Sequence, residues 1–214
     1  MAEIFLYKYG KSIHLQRLLE GHIYINTLHA LKQEEIHGSE IGDADEGILR
    51  TEMGGHVMDL SKPETLNPSM KRMIAEGRIV GPGQIIVGGQ LIEQMVDCYM
   101  FCTSFVADNA IMKRMNIEYD MCVEIHNPTE FFARVTSSLQ QKINIQQTLL
   151  GEVTYITRTA HHTKQTEIHP AFLKDPRYNY QKEFRTLWIT RDSLFPAFEL
   201  FCPGIKELVS VRVL

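Results

Sequence analysis

A chain of 214 residues, 44% hydrophobic and 22% charged, holds enough apolar side chain for one full-sized core and reads as a single domain, 1–214. Its formal net charge of −4 excludes the overall basic field of a nucleic-acid-coating protein, although not an enzyme that touches a few nucleotides through a local patch. No basic head precedes an apolar run near Met1, and no window approaches about 18 uninterrupted apolar residues, so a cytoplasmic protein with no membrane partner is expected.

In chain order, Ile4 to Tyr9 is rich in aromatic and branched residues and predicts a strand. Ser12 is placed to cap the next helix, with Ile13, Leu15, Leu18 and Leu19 as its apolar face and Gly21 as a left-handed stop. His22 to Thr27 predicts a second strand. Between Lys32 and Gly47 runs an acidic, glycine-bearing loop with Asp43, Asp45 and Glu46. Ser61 to Glu76 reads as helical, Gly77 to Gly83 as a break, Ile85 to Val87 as a strand, and Gly88-Gly89 as a turn. The run Cys98 to Val106 is nearly all apolar and fits a central strand buried on both faces.

Asp108 to Asn116 predicts a short helix and Met121 to Ile125 a strand. Asn127-Pro128-Thr129-Glu130 opens a helix with Asn as cap, Pro at the first position and Glu three residues after the cap; Phe131, Phe132 and Val135 follow before it ends near Gln140. Val153 to Thr157, Phe184 to Thr190 and Leu208 to Leu214 read as further strands. Helices and strands alternate without a regular repeat. The expected class is α+β, a compact domain with a central mixed or antiparallel sheet flanked by short helices.

Three of the four cysteines, Cys102, Cys122 and Cys202, lie in apolar runs, and Cys98 and Cys102 lack the second pair or His spacing of a zinc site, so buried thiols are expected. Neither a Gly-x-Gly-x-x-Gly turn, a phosphate loop nor a Gly-x-Ser-x-Gly elbow is present. The run Tyr178-Asn179-Tyr180-Gln181-Lys182-Glu183-Phe184-Arg185 stands out instead. Residues two apart on a strand face one side, so the amide of Gln181 and the carboxylate of Glu183 would converge on one ligand. Such a carboxylate can hold a ribose hydroxyl and stabilise positive charge developing at a sugar C1. The plainer interpretation is an exposed strand start with Glu183 paired to a neighbour such as Arg185.

Three features follow the order found in ADP-ribosyltransferases: Lys8 or Tyr9 as a polar residue on the first strand, Thr103-Ser104 on a mid-chain strand, and Gln181-Lys182-Glu183 near the end. The opening strand, helix, Gly21 and second strand also resemble the start of DNA-targeting transferase toxins. The whole chain resembles a bacterial and phage domain family that opens with Leu-Tyr-Lys-Tyr, carries a Cys-x-Ser strand and closes with Tyr-x-x-Glu-aromatic-Arg. The resemblance implies a split sheet, NAD as co-substrate and a macromolecular acceptor, nucleic acid or protein, in phage–host conflict or a toxin role. It makes Glu183 the catalytic residue, has Ser104 and Thr103 support Glu183 and the nicotinamide ribose, and turns Gln181 to the acceptor. It gives Lys8, Tyr9, Thr103, Tyr180 and Arg185 to NAD binding and needs no metal. The family uses Arg or His on the first strand, where this chain has Lys8 and Tyr9; Arg17 or Arg50 are the alternatives for that role.

The loop Asp43-Ala44-Asp45-Glu46 misses the spacing of a calcium loop and reads as solvated, with a substrate role for Asp43 or Glu46 as the alternative. His161, His162 and His169 sit in a polar stretch that reads as a loop near the site. Two other functions compete with the transferase. One is a catalytically silent relative that binds a nucleotide or a protein. The other is a metal-dependent nuclease using Asp43, Asp45, Glu46 and Glu183.

Overall fold

The apolar mid-chain run and the aromatic opening strand come together in one large antiparallel sheet. The computed structural model describes residues 4–32, 43, 45–52, 56–66, 68–77, 83–87, 90–157, 159–161, 168–191 and 196–214. Its first elements are strand β1 (Leu6–Gly10), helix α1 (Ser12–Leu19), β2 (His22–Thr27) and α2 (Leu28–Leu31). Then come β3 (Ile48–Glu52), β4 (His56–Asp59), α3 (Pro68–Ala75), β5 (Gln84–Val87) and β6 (Gln90–Gln94). The middle holds β7 (Tyr99–Ser104), α4 (Asn109–Met115), β8 (Met121–Ile125), α5 (Pro128–Gln140) and β9 (Ile145–Glu152). The rest is β10 (Thr154–Tyr155), β11 (Thr159–His161), β12 (Leu173–Lys174), β13 (Glu183–Thr190), β14 (Phe198–Phe201) and β15 (Val209–Arg212).

The α+β class is as expected, with the large sheet antiparallel. By its internal contacts the chain divides into two compact units: Met1–Glu46, Val96–Val153 and Arg177–Leu214 form the first, Gly47–Met95 and Thr154–Pro176 the second.

In the first unit β7 is central. β13 pairs it along its whole length, from Glu183↔Ser104 to Trp188↔Tyr99. Its other edge is shared, by β1 at Tyr7↔Ser104 and by β2 at Asn26↔Met100 and Thr27↔Tyr99. β8 and β15 extend the sheet past β1, β14 pairs β2, and β9 pairs β13. One face carries the main core, in which Leu6, Tyr99, Phe101, Val123, Ile125 and Trp188 pack with Phe131, Phe132 and Val135 of α5. Asn127 caps α5 by accepting from the Glu130 N–H at 3.1 Å, as its sequence predicts. Gly21 ends α1 at φ 93°, where an added Cβ would meet Pro203 Cα at 3.0 Å.

The start of α1 differs from expectation. Ser12 is already helical, and its hydroxyl donates to Asp120 Oδ2 at 2.9 Å while its N–H donates to Oδ1 of the same carboxylate. The cap is therefore supplied from beside β8, because the loop before that strand brings an ionised acceptor to the helix start. The N–H of Ser12 first, and its hydroxyl second, hold the Asp120 carboxyl below its ordinary value. A depressed carboxyl contributes stability that is complete above the unfolded value, roughly pH 4, and is lost as pH falls through the folded one. Asp120→Ala is accordingly expected to lower the urea midpoint at neutral pH, with the gap to wild type narrowing below that window; a gap independent of pH would refute the cap.

The second unit pairs β3 with β6 antiparallel and with β11 parallel, β4 with β5 antiparallel, and β10 with β12 parallel. Met58, Leu66 and Met70 form one buried apolar cluster there, and Arg72 Nη1 pairs with Glu93 at 2.5 Å. The helix expected over Ser61 to Glu76 is split into a 3₁₀ turn at Pro63–Thr65 and α3. The Gly88-Gly89 turn lies outside the described residues.

Candidate active site

Alternation along β13 and its register with β7 sort the candidate residues onto two faces. Partners in register share a face. Glu183 and Arg185 therefore lie with Ser104 and Cys102, and through Tyr7↔Ser104 this face continues to Tyr7 and Tyr9 on β1. Lys8, Thr103 and Phe184 lie on the opposite, core-lined face. The single expected constellation is thus divided. Thr103 Oγ1 donates to the Phe184 carbonyl at 3.2 Å. Lys8 Nζ stands 4.7 Å over the Phe101 ring and donates to the Cys102 carbonyl at 2.8 Å. That carbonyl belongs to the stretch of β7 between its pairings with β1 and β2, so the ammonium serves the backbone where the sheet divides. Desolvation pushes the Lys8 ammonium below its ordinary value, against the opposing pull of Cys102 and Glu183.

On the first face the carboxylate of Glu183 is gripped by its own strand. Arg185 Nε donates to Glu183 Oε1 at 2.7 Å and Nη2 to Oε2 at 3.3 Å. Nη1 of the same guanidinium lies 2.7 Å from Glu46 Oε1. Side-chain exposure is 1% for Arg185, 2% for Glu46 and 8% for Glu183, so Glu183 is the most accessible of the three. Desolvation acts to lower the basicity of Arg185, but Glu183 and then Glu46 more than offset it and hold the guanidinium charged. Burial first, and then the charge of Glu183 and a hydrogen bond to it, push the Cys102 thiol well up, so it is a neutral neighbour of the carboxylate and not a nucleophile.

Ser104 joins the two segments: its hydroxyl donates to the Gln181 carbonyl at 2.8 Å and accepts from the Val106 N–H at 3.1 Å. Tyr9 donates to the Val106 carbonyl and accepts from the Asp108 N–H at 2.9 Å; burial above all pushes its phenol up to about 12. Gln181 is not on the strand with Glu183. It ends a 3₁₀ turn, Pro176–Gln181, and Lys182 between them turns the chain with φ 45°, so period-two alternation does not relate the two side chains. Gln181 is buried, its Nε2 3.5 Å from the Tyr180 hydroxyl, and the guanidinium of Arg114 stacks 3.7 Å over the Tyr180 ring. Tyr178 is buried as well.

The acidic loop differs from the solvated loop its sequence predicts. Asp43 and Glu46 are buried, not solvated, because Arg185 gives Glu46 an interior counter-charge. Asp43 Oδ1 accepts from the Asp45 N–H at 3.2 Å and its carbonyl from the Glu46 N–H at 2.9 Å, which fixes the turn. A guanidinium inside the apolar run Phe184 to Ile189 required carboxylate partners, and that requirement pointed to an acidic loop elsewhere in the chain. Ala44 and residues 33–42 lie outside the described residues, as do His162 and residues 163–167. Arg17 pairs with Glu199 at 2.6 Å on the surface, and Arg50 belongs to β3 in the second unit. His169, also in the second unit, accepts from the Ala171 N–H through Nδ1 at 3.3 Å, and burial lowers its imidazole.

The arrangement can present one carboxylate, backed by a charged guanidinium and a second carboxylate, to a ligand at the Ser104–Glu183 face. Among the described residues no group of three or more His, Cys, Asp or Glu side chains is arranged to hold a metal ion, and no helix is long and apolar enough to cross a membrane. Compared with family models, with curated proteins and with solved structures, the chain finds no match.

Proposed function

We propose that the chain is an NAD-consuming ADP-ribosyltransferase, or an NAD glycohydrolase, with Glu183 as its catalytic carboxylate and a macromolecule as its acceptor. The observation that carries this reading is the placement of Glu183 in direct register with Ser104, as the most accessible of the three buried side chains Glu46, Glu183 and Arg185. In the reaction the bond between nicotinamide and the ribose C1 breaks, and nicotinamide leaves with the electron pair. Positive charge grows at C1, and a fixed carboxylate stabilises it most where water is excluded. The acceptor's nucleophile then bonds to C1 and loses its proton; in the glycohydrolase, water takes that place.

In this reading Arg185 orients the Glu183 carboxylate through a two-point grip. Ser104 ties the Gln181 turn to the sheet, so the turn and the carboxylate move as one. Tyr9 anchors the loop that enters α4. The stacked Tyr180 and Arg114 flank Gln181, on the side given to the acceptor.

A second reading, a catalytically silent relative that binds a nucleotide or a protein, is favoured by Lys8. Where the family places Arg or His, this ammonium is engaged by the Cys102 carbonyl. The nuclease reading loses its support, because the guanidinium of Arg185 already stands between the carboxylates of Glu46 and Glu183.

The test is nicotinamide release from NAD by purified protein beside a folded Glu183→Gln variant. Release by wild type, reduced about 10²- to 10³-fold in the variant, is the expected result. Calorimetric binding of NAD without release supports the silent relative. Neither binding nor release removes both the cofactor and the activity from this site.

A further inference from the structure

We propose that Lys182 is a positioning residue of the Glu183 site and that it acts through its backbone: the left-handed turn it holds at the entrance of β13 sets the carboxylate of Glu183 in place, and its ammonium serves the turn and not the ligand. The inference rests on the reading of Glu183 as the reacting carboxylate. It gives the middle residue of Gln181-Lys182-Glu183 a function that does not depend on its charge.

Among the described residues Lys182 is the only non-glycine with a positive φ, 45°. A side chain with a Cβ is disfavoured there, and glycine takes this conformation most readily. Such a residue persists only where its surroundings hold it, and here they do. The Lys182 carbonyl accepts from the Phe105 N–H at 2.9 Å, which fastens the turn to the chain just past β7. The carbonyl of Gln181, one residue back, accepts from the Ser104 hydroxyl at 2.8 Å. The N–H of Lys182 donates to the Asn179 carbonyl at 3.4 Å and its Nζ to Asn179 Oδ1 at 2.9 Å, so the ammonium closes the 3₁₀ turn from which the strand departs.

Glu183 is the first residue of β13, so the direction of its Cα–Cβ bond is fixed by its pairing with Ser104 and by the turn at Lys182. Arg185 grips the far end of the same side chain. A carboxylate that stabilises charge at a ribose C1 acts from a preset position, which must hold to within about 0.5 Å. A turn that relaxed to negative φ would redirect the peptide between Lys182 and Glu183 and pull the carboxylate against the grip of Arg185. Lysine is unbranched at Cβ, and its exposed side chain reaches Asn179. A β-branched residue would crowd the same backbone.

The experiment compares nicotinamide release by wild type, Lys182→Gly and Lys182→Val, with thermal unfolding of each followed by circular dichroism. Lys182→Gly removes the ammonium but favours the left-handed turn. It is expected to hold kcat within about threefold of wild type. Lys182→Val puts a β-branched residue where φ is positive. It is expected to lower kcat by about 10- to 100-fold, with KM for NAD within about twofold of wild type. A loss of about tenfold or more in Lys182→Gly overturns the inference, because the side chain and not the backbone then carries the role. Unchanged kcat in Lys182→Val, or a change confined to KM, overturns it as well. If Lys182→Val does not fold, Lys182→Ala takes its place, since it differs from Lys182→Gly by the Cβ alone. A kcat at least about threefold below that of Lys182→Gly then supports the role, and a smaller difference overturns it. Absence of release by wild type overturns the reading of Glu183 and this inference with it, whereas equal release by wild type and Lys182→Val overturns the inference only.

Discussion

Arg185→Gln is expected to lower the free energy of unfolding by about 3–5 kcal/mol, measured by urea denaturation. The guanidinium is fully buried and has two carboxylates within ion-pair distance. Removing it leaves Glu46 and Glu183 desolvated, near one another and without their cation. Arg185→Lys restores the charge but not the fork, since a single ammonium cannot make both contacts in their observed directions. It is expected to recover part of the loss. The informative companion is the triple variant Glu46→Leu, Glu183→Leu, Arg185→Met. Apolar replacement of a whole buried ionic cluster is often neutral or stabilising. A triple variant as stable as wild type would show that the cluster is kept for its charge and not for folding. Wild-type stability in Arg185→Gln would show that the guanidinium is not buried as described.

Trp188→Ala is expected to destabilise by about 3–5 kcal/mol, which in a chain of this size lowers the melting temperature by roughly 10 °C. Trp188 is fully buried in β13, between Tyr99 of β7 and Thr148 of β9. Its Nε1 donates to Thr136 Oγ1 on α5 at 2.8 Å, so it fastens the helix to the sheet. Truncation removes apolar contact, opens a cavity and strips the Thr136 hydroxyl of its donor. Trp188→Phe keeps most of the volume and is expected to cost about 1–2 kcal/mol. This is the only tryptophan in the chain, so its fluorescence reports unfolding in wild type and circular dichroism must report it in the variants. A loss below about 1 kcal/mol in Trp188→Ala would mean that the core closes around the gap.

The two variants probe opposite faces of the same strand, and the sequence revealed those faces unequally. Phe184, Thr186 and Trp188 alternate with Glu183, Arg185 and Leu187, and that alternation is visible in the chain itself. Which face is the core depends on where α5 lies. The first strand was less legible still, because Leu6, Tyr7, Lys8 and Tyr9 put apolar atoms on both sides. Only its register with β8 and β7 sends Lys8 to the core face and Tyr9 to the face of Glu183. Gln146, Gln147 and Gly151 weaken the strand character of β9, so the chain alone does not mark it as a strand. Its membership is conferred by pairing with β13, from Phe184↔Glu152 to Thr190↔Ile145.

Local features needed nothing beyond the chain. Asn127 before Pro128 makes a helix start wherever it sits, Gly21 tolerates a left-handed turn without strain, and an apolar run as long as Tyr99 to Ser104 belongs inside. Each is a property of a few adjacent dihedrals or of a segment's affinity for water. The state of Glu183 was of another kind. Its motif marks it out in the sequence, and Arg185 two residues along the same strand is a partner the chain itself offers, but the approach of Glu46 to Arg185 arises only when distant segments meet. Charges act through space and through the dielectric around them, so tertiary structure, by burying all three together, decided that this carboxylate is held rather than free.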